Sequence, residues 1–125
     1  MAAEDRVVHV PPGRRTEGDP TPGMVREQAI AVEGLWSGFV RTAAGMTSGW
    51  HHHGDHETSI YVVDGALRME FGDGGGDVID AGPGDFLHVP KGAIHREGNP
   101  ADHESHLIVT RAGSGPPTIN VDGPA

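Results

Sequence analysis

No cysteine occurs in the chain, which rules out a disulfide framework and any thiolate metal site. Cations are also scarce. Nine Lys and Arg stand against eighteen Asp and Glu, a formal net charge of -9 with the histidines neutral. Nucleic-acid binding rests on clustered Lys and Arg, so no nucleic-acid partner is expected. No basic amphipathic stretch points to a membrane surface, and no apolar run is long enough to span a bilayer. The first fifteen residues are charged and contain Pro11 and Pro12, with no apolar h-region, so a cytoplasmic protein is the expectation. At 125 residues the chain fits one domain, large enough to bury roughly two-thirds of its unfolded surface without staples.

What the chain does contain is glycine and proline, 20 and 10 residues respectively, and they punctuate it every eight to twelve residues. That is the spacing of short strands in an all-β sandwich or barrel. Strands are predicted over 27–32, 35–41, 50–53, 58–63, 66–71, 77–80, 86–89, 94–96 and 106–111, with a last short run at 118–121 after the Gly113 to Pro117 loop. Leu67, Met69 and Phe71 alternate with Arg68 and Glu70, which gives one buried and one wet face. Asp64-Gly65 reads as a two-residue hairpin turn with positive φ at both positions, and Pro83-Gly84 as a type II turn. Residues 1–23, rich in Pro, Gly and charge, are expected to form a flexible arm, with 24–125 as the single domain. Short antiparallel strands must close or stack to protect their edges, so a jelly-roll β-barrel is the predicted architecture.

The unusual residue is histidine. There are nine, and four of them lie between His51 and His56. Side chains two apart on a strand share a face, so His51 and His53 project together and His52 projects away. A tight turn at Gly54-Asp55 would bring Glu57 back to the same side from the next strand. Two imidazoles and a carboxylate suit a borderline divalent metal such as Fe, Mn, Ni, Cu or Zn. Farther on, Pro90-Lys91-Gly92 forms a second tight turn and His95 follows on the returning strand, offering a further ligand.

These two stretches resemble the paired motifs of the cupin superfamily, G-x5-H-x-H-x3,4-E-x6-G and G-x5-P-x-G-x2-H-x3-N. Gly84 to Asn99 matches the second without a gap. Gly45 to Glu57 matches the first, except that seven residues rather than six separate Glu57 from Gly65; in the other register the Glu position falls on Thr58. The resemblance covers somewhat under half the chain. It implies a double-stranded β-helix barrel, often a dimer, with His51, His53, Glu57 and His95 as ligands of one divalent metal ion. His56 is the substitute should Glu57 point away.

His52 and His56 read as solvated or as supports for the ligands, His88 as outside the pocket, and His9, His103 and His106 as surface residues. Glu57, Ser59 and Tyr61 share a face by alternation, which makes Tyr61, with His56, a candidate catalytic residue. Thr58, Ile60 and Val62 are also fairly apolar; a strand covered on both faces suggests a second sheet or a partner subunit, hence a homodimer. A metal with open positions in a barrel points to an enzyme acting on a small oxygenated compound, dioxygenase-like in the first instance. The alternatives are a metal-dependent isomerase, cyclase or lyase, or a non-catalytic small-molecule-binding module.

Overall fold

The computed structural model describes residues 6–18, 21 and 23–124. Among them are eleven strands: β1 (Thr16–Glu17), β2 (Met24–Val32), β3 (Leu35–Thr42), β4 (His51–His52), β5 (Glu57–Asp64), β6 (Leu67–Phe71), β7 (Asp77–Ala81), β8 (Phe86–Val89), β9 (His95–Gly98), β10 (Ser105–Ala112) and β11 (Ile119–Asn120). They form two antiparallel sheets, one ordered β1-β2-β3-β10-β5-β8 and the other β11-β4-β9-β6-β7. This is the expected jelly roll. No helix among the described residues is long and apolar enough to cross a membrane.

Period-two burial builds the core. Thr58, Ile60 and Val62 of β5 point inward, as do Leu67 and Met69 of β6 and Leu107 and Val109 of β10; Met24 of β2, Trp36 and Val40 of β3 and Val89 of β8 complete the apolar cluster. Arg111, next inward on β10, is buried with its guanidinium 4.5 Å from the Trp36 ring centroid. Such stacking offsets part of the cost of desolvating the charge. The first 23 residues do not all stand apart from the barrel: Thr16 and Glu17 pair with Gln28 and Glu27 at the edge of the larger sheet. The rest of the expected arm includes residues 1–5, 19, 20 and 22, which lie outside the described residues.

Two turns differ in their agreement with expectation. Pro83-Gly84 is the type II turn, with Gly84 at φ 92° and the Asp85 N–H donating to the Gly82 carbonyl at 3.0 Å. Asp64-Gly65 is not a turn with two positive φ angles, because among the described residues only glycines have positive φ. Asp64 instead ends β5 and pairs with His106, and Gly65, at φ 82°, makes the bend. Gly65 also passes so close to β10 that a Cβ there would lie 2.8 Å from the Ser105 Cα. Here both the conformation and the lack of a side chain are required.

Candidate metal centre

Two backbone links hold the histidine-bearing hairpins together. The Gly92 N–H donates to the Gly54 carbonyl at 3.0 Å, and the Gly45 N–H donates to the Asn99 carbonyl at 2.9 Å. Asn99 is itself buried; its amide donates to the carbonyls of Thr42 and His103 and its side-chain oxygen accepts from the Ala101 N–H. The turn glycines and Asn99 of the two motifs are therefore framework. Between these links, His51 on β4 pairs directly with His95 on β9.

The result is a buried group of His51, His53, His95 and Glu97, whose ligand atoms lie within 4.8 Å of one another. The three rings stand 4.3 to 5.2 Å apart by centroid. Each ring's orientation has a stated cause. His51 Nδ1 lies 2.9 Å from the Gly49 carbonyl oxygen, His53 Nδ1 2.8 Å from that of Pro117, and His95 Nδ1 2.9 Å from that of Ala93. A carbonyl can only accept, so all three Nδ1 atoms carry the proton. In the neutral ring Nε2 then keeps its lone pair, and the three Nε2 atoms are turned toward the cluster.

Glu97 supplies the charge. Its Oε1 is 3.1 Å from His95 Nε2 and 3.6 Å from His51 Nε2. Burial pushes this carboxyl up, but His51 and His95 beside it, when their rings also carry a proton on Nε2, outweigh that and hold it well below the usual carboxylate range. Burial first, then the charges of Arg111 and His95, push His53 down from 6.5 to about 2, so its ring is neutral. His51 Nε2, His53 Nε2 and Glu97 Oε2 are buried with no hydrogen-bond partner. Buried polar atoms are costly when left unpaired. Lone pairs aimed at a carboxylate repel unless a proton or a cation sits between them. The donor set, three imidazole nitrogens and one carboxylate, fits a single divalent transition-metal ion.

The structure thus gathers His51, His53 and His95 as expected, and places Glu57 elsewhere. Glu57 opens β5 on the outer face of the sheet, half-exposed, with its Oε1 accepting from His88 Nε2 at 2.6 Å. The register is one residue off the expectation. Thr58, not Glu57, points inward, and its hydroxyl is buried. The carboxylate at the cluster is Glu97, two residues after His95 on β9. The alternation argument that paired His51 with His53 applies equally to His95 and Glu97, so the place of this carboxylate beside the histidines was legible and was missed.

The other candidates also lie apart from the cluster. Tyr61 shares Glu57's outward face and packs its ring on Phe86, centroids 4.7 Å apart. His56 is buried, but its Nδ1 donates to the His53 carbonyl and it lines a different cavity, beside Trp36 and Gly113. His52 Nδ1 accepts from the Gly54 N–H and helps shape the turn.

An open cavity of about 290 Å³ reaches His95 from the edge where β7 and β8 leave the barrel unclosed. Met69, Phe71, Ile79, Leu87, Val89 and Ala93 line it, with Phe86 and His88 among the remaining residues.

Comparison with known proteins agrees with this fold. The uncharacterized protein YdbB of Bacillus subtilis (strain 168) is 40% identical over 47 residues, 38% of this chain and 40% of that protein, so the match spans well under half of either. KdgF from Halomonas sp. superposes with a TM-score of 0.72 at 22% identity, covering 86% of this chain and 96% of that one. The polyketide cyclase RemF from Streptomyces resistomycificus superposes with a TM-score of 0.75 at 18% identity, covering 93% and 86%. At such identities the likeness is one of fold. Residues 38–111, more than half of the chain and including both histidine-bearing hairpins, match the model of the cupin domain, and the chain belongs to the cupin family.

Proposed function

We propose that this cupin holds one divalent metal ion on His51, His53, His95 and Glu97 and is an enzyme acting on a small oxygenated compound. The observation that carries the reading is the convergence of three Nδ1-protonated histidines on one buried carboxylate. An ion there would supply Lewis acidity and, if redox-active, the means to activate dioxygen. The protein's own part is to hold the rings rigid through three backbone carbonyls, offset charge with Glu97, and admit substrate along the cavity that ends at His95.

A dioxygenase-like reaction is the first reading. The isomerase, cyclase or lyase alternative would use the same ion as a Lewis acid without dioxygen. Metal content by plasma mass spectrometry tests the site, on protein purified without a chelator or nickel column. Near one equivalent per chain supports it, and none, even after reconstitution, overturns it. Oxygen consumption with a panel of enols, hydroxy-ketones and carboxylates then separates the two reactions; binding without turnover would leave a small-molecule-binding module.

The homodimer is also proposed. On the outer face of the larger sheet, Phe39, Ile108, Tyr61 and Phe86 form one register-aligned row across β3, β10, β5 and β8. A second copy laid on this face would cover that row. A monomeric mass by light scattering at micromolar concentration would refute it.

A further inference from the structure

The cavity that reaches His95 says more about the substrate than the ligand set does. Its interior is made by inward-facing side chains at the free edges of the two sheets. Met69 is buried, and Ile79, directly opposite it on β7, therefore faces the same way. Yet Ile79 is 45% exposed, because among the described residues no strand lies beyond β7 and the barrel is open there. Leu87 pairs with the fully buried Ile60 and faces inward from β8. Phe71, paired with His95 on β9, bridges from this apolar wall to the metal cluster. Phe86 is 72% exposed at the rim.

Chemically the lining is one-sided. No Lys, Arg, Asp or Glu is among the described residues that line the cavity, and its titratable side chains are His95 at the cluster and His88. A dicarboxylate or a polyhydroxylated sugar acid would find no charged or hydroxyl partner there to replace its water. An apolar body would instead bury surface against Phe71, Ile79, Leu87 and Val89.

Resting on the metal reading above, we infer that the substrate is a molecule with an uncharged apolar body, aromatic or branched aliphatic. That body lies in the cavity between β6, β7 and β8, and a pair of oxygens at one end is directed to the cluster past His95. The cavity holds about 290 Å³, enough for a single ring with short substituents. The wall selects the body and the metal selects the head.

The test uses hydroxamates, which offer one chelating head on different bodies. Cobalt(II)-loaded protein is titrated with acetohydroxamate, benzohydroxamate and oxalate, read by calorimetry and by the cobalt absorption bands. Benzohydroxamate is expected to bind roughly tenfold more tightly than acetohydroxamate, because its ring is removed from water, and oxalate more weakly than either. Ile79→Ser, at an exposed position that faces the cavity, is expected to erase much of the advantage of the ring while leaving acetohydroxamate binding unchanged.

A second arm needs no metal. In chelator-treated protein, benzyl alcohol is expected to shift the amide resonances of Ile79, Leu87 and Ala93 in a saturable way. If metal and acetohydroxamate bind but the ring brings no gain, the pocket assignment falls and the metal reading stands. If no metal binds, the metal reading falls, and the benzyl alcohol arm alone decides whether the cavity takes an apolar body. No saturable shift there overturns the proposal.

Discussion

Gly92 donates its backbone N–H to the carbonyl oxygen of Gly54 at 3.0 Å, so the turn after His53 is tied directly to the turn before His95. The two residues are 38 positions apart in the sequence. The link sets the separation of the two hairpins, and with it that of the histidines they carry.

Gly92 has φ 67° with nothing near its absent Cβ, whereas Gly65 combines φ 82° with the close approach to Ser105. Gly92→Ala therefore meets only backbone strain and is expected to cost about 1–2 kcal/mol. Gly65→Ala must also displace β10 and is expected to cost more. Urea denaturation of the two variants checks the order. Equal losses would mean that the contact at Ser105 relaxes freely.

Glu97 and Glu57 make a paired test of the ligand set. Glu97→Gln removes the charge that faces His51 and His95 and should weaken metal binding beyond the roughly 10–100-fold typical of losing an outer partner. Glu57→Ala should leave metal stoichiometry unchanged, since its carboxylate is engaged with His88 on the outer face. His53→Ala and His95→Ala should abolish uptake. Metal content after gel filtration reads all four, and loss in Glu57→Ala with retention in Glu97→Gln would reverse the assignment.

Much of this was legible in the chain before its structure. Period-two alternation located Leu67 and Met69 as core, and Pro83-Gly84 announced its turn, because both signals are local. The histidines were legible because their spacing sets a face. Glu57 was misplaced because its orientation depends on how β5 registers against β10, where Thr58 pairs with Arg111, and a single-residue slip exchanges faces. The Pro117 carbonyl that orients His53 could not be foreseen, since it is a backbone group brought 64 residues back along the chain by the pairing of β11 with β4.

That last contact yields a prediction of its own. Removing residues 116–125 deletes β11 and the carbonyl that fixes the His53 tautomer. Among the described residues, the hydrophobic core contains none from this segment, so the barrel should still fold. Metal affinity is expected to fall roughly 10–100-fold, as for loss of an outer partner elsewhere. Competition with a chromophoric chelator measures it, and unchanged affinity would show that His53 is oriented without Pro117.

The stability of metal-free protein should fall on mild acidification. His53 is neutral in the fold down to about pH 2, whereas in the unfolded chain it takes up a proton near 6.5. The unfolded state thus binds the extra proton below pH 6.5, and stability that is full above that value is lost as the pH falls. The slope for one proton is about 1.4 kcal/mol per pH unit. Below about 4.5 the depressed Glu97 carboxyl adds to the loss, since it protonates in the unfolded chain before it does so in the fold. Urea denaturation of chelator-treated protein at pH 7.5, 6.0 and 5.0 gives the slope. In His53→Asn, which has no imidazole to protonate, the profile between pH 6.5 and 4.5 should flatten by about one proton's worth. An unaltered slope in that variant would place the proton uptake on another group.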